Sequence, residues 1–507
     1  MVADDLTYTW ADFILRVSRL AGMLEGLGVR RGERFAILAR NTVRHYELLH
    51  AGYWLGAIPV PVNFRLAPPE IRFILEDSGC KLLAVEPAFL DLLETDALEP
   101  WRKNALTIGD PRYEVLLAEA SPPPLNDPRE DDDAILLYTG GTTGRSKGVR
   151  LTHKNVISNG MQCVAAMEIR PDDVYLHVAP MFHSADLLGT GYTLRGAAHA
   201  FLPQFSPKAL LAEIQRARVT VMMASPTVII MTLQEPDFDK YDLSSFRRLF
   251  YGSAPMAVEW TRRAMERFPR AVLQQGYGLT ETSPILTTLD ADQHVAAVKN
   301  GNYDRLRSVG RPLMGLDLRL VDDDDNEVPR GSVGEIAVRG PNVTGGYLNR
   351  PQETAHAIRD GWFHTGDLAR MDEDGFVYLV DRKKDMIITG GENVYCTEVE
   401  AAVYQHPAVH EAAVIGVPDE RFGEALLAVI VPAAGQSLSA DELVAHCRGR
   451  IGGYKIPRRI ALMKEMPKSA MGKILKTELR KMFTAASPAV PVDVAADAPT
   501  RQKVDLK

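Results

Sequence analysis

Cysteine is scarce: four residues in 507, at 80, 163, 396 and 447, with no two close together. That spacing supports neither a disulfide framework nor a zinc site, and it fits a reducing cytoplasm. A long apolar run is missing too. The longest, TVMMASPTVIIMTL at 220–233, is too short to cross a bilayer and carries Pro226, so it reads as core. The start, MVADDLTYTW, is acidic and poor in apolar residues and offers no secretory signal. Positive charge is not in excess. The formal net charge is −8, from 58 Lys and Arg against 66 Asp and Glu, which argues against a nucleic-acid partner or a basic membrane patch. No internal repeat is visible.

What remains is ordinary globular composition, 46% apolar and 24% charged, in a chain too long for a single core. Across 1–120, helical patterns alternate with short apolar runs at 34–40, 57–63 and 81–86, which predicts a parallel α/β sheet. The Pro- and Asp-rich stretch 121–133 reads as a surface loop. AILLYT at 134–139 follows as a continuous apolar run, of the kind a strand covered on both faces shows. Residues 317–340 predict three short antiparallel strands about an Asp-rich turn and a Pro-Arg-Gly turn. A strand, a charged break and a second strand over 375–394 place a boundary at 382–384. The module 385–483 reads as compact α+β, and the Ala-, Pro- and Asp-rich tail 484–507 as disordered.

The stretch that carries chemistry is YTGGTTGRSKG at 138–148. Backbone N–H groups of a Gly-rich turn can converge on an anion because no Cβ blocks the approach. Thr139, Thr142 and Thr143 add hydroxyls, Gly140, Gly141 and Gly144 open the backbone, and Lys147 adds a mobile charge. The order Ser146-Lys147-Gly148 is not that of a Walker A loop, nor is the stretch GxGxxG. Alone it reads equally as a phosphate cradle or a flexible turn.

The full string, with LTH at 151–153, resembles the phosphate loop of the adenylate-forming superfamily: acyl-CoA synthetases, aryl-CoA ligases, peptide-synthetase adenylation domains and firefly luciferase. Gly141 stands where Ser is commoner and Ser146 where Pro is commoner. Further strings match in the same order: YGSAP (251–255), QGYGLTE (275–281), GWFHTGDLA (361–369), DRKKDMIITGGENVY (381–395) and PKSAMGKILKTELR (467–480). The likeness covers nearly the whole chain. The family usually carries about 25–35 residues before the segment matching 6–13, so the resemblance implies that an N-terminal helix and strand are either missing or misassigned here.

The resemblance implies an α/β fold. A large domain, 1–381, would hold layered parallel sheets and a small β-barrel-like unit. A hinge at 382–384 would lead to a small, mobile α+β lid at 385–483. It also implies an ATP-dependent ligase that activates a carboxylic acid as acyl-AMP, releases pyrophosphate, and passes the acyl group to CoA. Tyr277 would stack on adenine, with Gly252, Ser253 and Ala254 as the other wall and Gly276 and Gly278 flanking. Thr280 would donate to the α-phosphate and Glu281 would hold Mg²⁺, a hard cation that prefers carboxylate oxygen. Asp367 would accept the ribose hydroxyls. Arg382 would contact ribose or phosphate, and Lys384 would be the pivot. Lys473 would bridge the substrate carboxylate and the α-phosphate. His183 would position or gate the acyl site, and Gly390 and Gly391 would admit the pantetheine arm of CoA.

The acyl pocket is expected from 182–187, 225–229 and the walls at 251–254 and 276–278, with Phe182, Asp186, Ser225 and Thr227 named as lining. No Lys or Arg appears in these walls, so a medium- or long-chain fatty acid is expected first and an aryl acid next. The rivals are a ligase that loads a carrier protein, a luciferase-like oxidase, and a degenerate synthetase that only binds. A degenerate protein would have lost Thr280, Glu281, Asp367 or Lys473, and all four are present. A homodimer is compatible with these readings, and no sequence feature calls for one.

Overall fold

The computed structural model describes every residue except 3–6, 104, 140–145, 390–391, 420, 449, 469–473, 485–489 and 492–507. The first sheet is the one the N-terminal alternation predicts. Strands Arg34–Leu38, Ile58–Pro61, Leu82–Val85 and Ala105–Thr107 run parallel, with Arg34–Leu38 between the second and third. All four residues of Ile58–Pro61 and of Leu82–Val85 are buried. That is why they read as unbroken apolar runs. Thr42 caps the helix Val43–Leu55, and Gly56 ends it in the left-handed region at φ 73°.

A seven-stranded sheet is the larger scaffold. Its order is Arg311–Pro312, Thr287–Leu289, Val272–Tyr277, Arg248–Gly252, Val221–Ala224, Val174–His177 and Ala198–Phe201. The five strands from Val272–Tyr277 to Ala198–Phe201 are parallel, and the two at the other edge are antiparallel. The run at 220–233 becomes the strand Val221–Ala224 and the helix Pro226–Leu233, so it is core as expected.

AILLYT is a strand buried on both faces, as expected. It belongs to Asp133–Thr139, one arm of a two-stranded antiparallel hairpin with Lys147–Thr152, not a member of a parallel sheet. Its continuous apolar character comes from burial of Ala134 to Leu137 on both faces, which apolar runs report without reporting direction.

The region 317–382 forms a five-stranded sheet ordered Asp317–Val321, Val333–Arg339, Trp362–Met371 and Ile358–Arg359, with Val377–Arg382 beside Trp362–Met371. The strand expected between the two turns shrinks to a bridge, Val321 to Glu327, because the turn around Asp322 uses the residues available.

The chain divides into two compact units. One is Met1–Arg319 with Ala337–Thr365 and Met371–Tyr378; the other is Leu320–Ile336 with Gly366–Arg370 and Leu379–Lys507. The second unit contains the expected α+β elements: helix Cys396–Val403, strands Val409–Asp419 and Gly423–Pro432, and helix Ala440–Cys447. Val490–Pro491, within the stretch read as tail, pairs with Arg459–Ile460. Among the described residues no helix is long and apolar enough to cross a membrane.

Candidate active site

The glycine-rich stretch is the tip of the hairpin. Thr139 and Lys147 face each other in register at its mouth. Gly140, Gly141, Thr142, Thr143 and Gly144 lie outside the described residues. Thr152 then caps the helix His153–Met167 in a box with Asn155. That helix turns a row of amides inward. The Asn155 amide donates to the carbonyls of Pro341 and Val343 at 2.8 and 2.9 Å. Asn159 donates to the Ile285 carbonyl at 2.8 Å and accepts from the Ile285 N–H at 3.1 Å. From the other side the Asn342 amide donates to the carbonyls of Thr282 and Ile285 at 2.7 and 3.1 Å. The loop after Tyr277 is therefore pinned at both ends. The backbone polar groups of this buried turn have partners, as burial requires.

This pinned loop carries Thr280 and Glu281. The Thr280 hydroxyl is buried and lies 2.9 Å from the Ser184 hydroxyl. Glu281 Oε1 accepts from the Tyr347 hydroxyl at 2.9 Å. Burial and then the Glu281 carboxylate push the Tyr347 phenol well above its ordinary range, so it stays a donor. The Lys147 ammonium sits 5.0 Å from the centroid of the same ring. Sequence reading had placed Lys147, Thr280 and Glu281, but not Tyr347 or Ser184. "GGYLNR" offered no more than a turn followed by an aromatic.

Three glycines named for the adenine wall are required by the fold itself. Gly252 and Gly276 are register partners on adjacent strands. A Cβ on Gly252 would lie 2.3 Å from the Gly276 carbonyl oxygen, and one on Gly276 would lie 2.2 Å from the Phe250 ring. A Cβ on Gly278 would meet the Pro284 carbonyl at 1.9 Å. Ser253 follows with φ 68°, exposed, and Ala254 and Tyr277 are half-buried.

The segment 182–188 faces several ways. His183 opens a short 3₁₀ turn, Ser184–Leu188, its Nδ1 accepting from the Ala185 N–H at 3.2 Å. Phe182 is buried and meets Phe64 edge-on at 5.3 Å; Phe64 stacks on Phe89 at 4.8 Å. The Arg65 guanidinium lies 5.9 Å from the Phe182 centroid, a cation the sequence gave no reason to place near this wall. Asp186, expected to line the acyl pocket, is buried with its Oδ1 2.7 Å from His177 Nδ1. His177 Nε2 is in turn 2.8 Å from His199 Nδ1. The Asp186 carboxylate thus holds the interior together. Ser225 is half-buried at the start of its helix, and Thr227 is exposed.

In the second unit Asp367 is buried and its Oδ1 lies 2.5 Å from Arg382 Nε. The next residue, Lys383, donates its N–H to the Gly366 carbonyl at 2.9 Å and its ammonium to Glu335 at 3.1 Å. Lys384 is exposed. Gly390, Gly391 and Lys473 lie outside the described residues. The flanks of Lys473 are tied: Lys468 bridges Ile474, and Leu475 N–H donates to the Pro467 carbonyl at 2.8 Å. Lys476, three residues on, is paired with Glu400 at 2.8 Å.

Comparison with known proteins gives this arrangement a family. Residues 1–348 match the AMP-binding enzyme family and residues 398–473 its AMP-binding enzyme C-terminal domain. The chain is 40% identical to a feruloyl-CoA synthase of Amycolatopsis sp over 477 residues, 94% of each chain. It is 35% identical over 490 residues to a long-chain-fatty-acid–CoA ligase of Mycobacterium tuberculosis, 96% of this chain and 95% of that one. Among solved structures it resembles ATP-bound MatB from Rhodopseudomonas palustris, with TM-score 0.87, 32% identity and 95% of each chain covered. It also resembles the o-succinylbenzoate CoA synthetase of Bacillus subtilis in complex with its acyl-adenylate, with TM-score 0.84, 30% identity, and 96% and 95% coverage. The chain belongs to the AMP-binding enzymes, the adenylate-forming superfamily of acyl-CoA synthetases and ligases.

Proposed function

We propose that the protein is an ATP-dependent acyl-CoA ligase acting in two steps. In the first, a carboxylate oxygen of the acid attacks the α-phosphorus of ATP and pyrophosphate leaves. In the second, the sulfur of CoA attacks the acyl carbonyl carbon and AMP leaves. The observation that carries this reading is Tyr347, whose ring lies 5.0 Å from the Lys147 ammonium at the mouth of the glycine-rich hairpin and whose hydroxyl donates to Glu281 on the pinned loop. A cation and a carboxylate held one ring apart suit a metal-bound polyphosphate.

The residue roles are those the family resemblance implies. Thr280 lends a buried hydroxyl to the α-phosphate. Tyr277, with Gly252, Ser253 and Ala254, forms the adenine slot, and Gly276 and Gly278 keep its backbone low. Asp367 holds the ribose while Arg382 steadies its carboxylate. Lys473 brings the acid to the phosphate, 382–384 is the hinge between the large domain and the lid, and Gly390 and Gly391 accept pantetheine. Among the described residues no group of three or more His, Cys, Asp or Glu converges as a metal cage. Glu281 fits Mg²⁺ through its hard oxygen, with the remaining ligands coming from phosphate and water. Bound there, Mg²⁺ would neutralise the charge that develops as pyrophosphate departs.

For the acid, an arylpropenoic acid is the first reading. It is supported by the 40% identity to a feruloyl-CoA synthase and by the aromatic cluster in which Phe182 meets Phe64 edge-on and Phe64 stacks on Phe89. A medium- or long-chain fatty acid is the second, supported by the 35% identical long-chain ligase. Competition between ferulate, cinnamate, octanoate and palmitate for one enzyme decides. The first reading requires kcat/KM at least tenfold higher for the aryl pair, and a higher value for palmitate would reverse the order.

A further inference from the structure

Tyr347 touches both charged groups of the phosphate subsite, and its own placement is tightly set. The segment around it runs along the free edge of strand Lys147–Thr152, with a bridge between Val149 and Tyr347. Leu348 N–H donates to the Gly148 carbonyl at 2.8 Å, and Arg150 N–H to the Gly346 carbonyl at 3.2 Å. Tyr347 N–H donates to Thr354 Oγ1 at 3.0 Å. Gly346 has φ 135°, and a Cβ there would lie 2.4 Å from Thr354 Cγ2. Thr344 N–H reaches the Glu281 carbonyl at 2.8 Å, so the two segments are also joined through backbone. The backbone that carries the ring is thus held by contacts other than those to the Glu281 and Lys147 side chains.

Two opposite charges that close would otherwise pair with each other. A carboxylate that accepts an ammonium has fewer oxygens for a cation, and the ammonium has less charge for phosphate. The ring lies against both. Its hydroxyl gives Glu281 Oε1 a neutral donor at 2.9 Å, and its face gives Lys147 a neutral acceptor at 5.0 Å. Each charged group thus has a neutral contact on the same side chain.

We propose that Tyr347 is a positioning residue of the phosphate subsite. Its hydroxyl orients the Glu281 carboxylate toward the cation, and its ring keeps the Lys147 ammonium apart from that carboxylate and available to phosphate. This rests on the ligase reading above. Partners of this kind, acting on a metal-binding carboxylate, commonly change metal affinity by about 10–100-fold.

The test uses the full-length protein and two variants. Tyr347→Phe keeps the ring and removes the hydroxyl; Tyr347→Leu removes both. ATP binding is measured by calorimetry with and without Mg²⁺, and adenylate formation is followed across a Mg²⁺ titration. For Tyr347→Phe the account expects about a tenfold rise in the Mg²⁺ concentration giving half-maximal effect. Metal-free ATP affinity should stay within about twofold and the thermal midpoint should be unchanged. For Tyr347→Leu it expects metal-free ATP affinity to fall as well, since Lys147 collapses onto Glu281. In a Glu281→Gln background, Tyr347→Phe should add nothing. Wild-type Mg²⁺ dependence in Tyr347→Phe, or an additive effect in the double variant, overturns the assignment. Failure of the wild-type protein to bind MgATP would instead overturn the ligase reading.

Discussion

Gly252 and Gly276 lie opposite each other on neighbouring parallel strands, and neither has room for a side chain. The obstacle to Gly252 is the Gly276 backbone itself, while the obstacle to Gly276 is the Phe250 ring. The family resemblance put Gly252 in the adenine wall with Gly276 flanking. The structure supplies a reason that needs no ligand.

A sharp prediction follows for Gly276→Ala. Phe250 is fully buried, so its ring can yield only by disturbing the core around it. Overpacking of this kind costs about 1–3 kcal/mol. Urea denaturation of Gly276→Ala should show a loss in that range, together with weaker AMP binding as the strand end shifts. A variant as stable as the parent and with unchanged AMP affinity would remove the packing argument.

Asp186→Asn should weaken the interior. The carboxylate meets His177 at 2.7 Å with both side chains buried, and a hydrogen bond to a charged group is worth about 1.5–3 kcal/mol. Because Phe182, His183 and Ser184 share its turn, the variant should also raise KM for the acid. Denaturation midpoint and acid KM check the two parts. An unchanged midpoint with altered substrate preference would return Asp186 to the acyl pocket.

Stability should fall on mild acidification. His45 and His294 have no exposed surface, and burial pushes each down to about 4. Their Nδ1 atoms face the carbonyls of Arg40 and Asp290, which fixes a neutral tautomer. A base whose folded pKa lies below its unfolded value of about 6.5 takes up its proton first in the unfolded chain. The stability these residues allow is therefore intact above pH 6.5 and lost progressively from there toward pH 4, by up to ~3 kcal/mol for each. Urea midpoints at pH 7.5, 6.0 and 5.0 should decline in that order, and His294→Gln should flatten part of the decline. Equal midpoints at pH 7.5 and 5.0 would contradict the assignment.

Lys473→Ala and Lys384→Pro separate the two half-reactions. Lys473→Ala should abolish most adenylate formation but spare thioester formation from supplied acyl-AMP. Lys384→Pro should freeze the hinge and impair one half-reaction far more than the other. Equal loss of both steps in the first variant, or two intact rates in the second, would withdraw those roles.

What was legible in the sequence was local. Apolar runs marked the strands of the N-terminal sheet, and QGYGLTE marked Thr280 and Glu281, which lie just past the strand Val272–Tyr277, whereas Asp367 falls inside the strand Trp362–Met371. What was not legible was pairing across distance. The hairpin direction of Asp133–Thr139 could not be told from an apolar run. The contact between Glu281 and Tyr347 joins positions 66 residues apart, and no periodicity signals it. Nor does anything local signal that Asp186 pairs with His177, at the end of the strand Val174–His177.

The most direct measurement is AMP release by the purified protein with ATP, Mg²⁺ and a panel of acids, with and without CoA. The panel runs from acetate to palmitate and adds cinnamate, ferulate, benzoate and dicarboxylates. The account predicts carboxylate-dependent AMP that turns over only with CoA, strongest for one aryl or long-chain class. AMP formation indifferent to CoA, or no AMP with any acid, would contradict it.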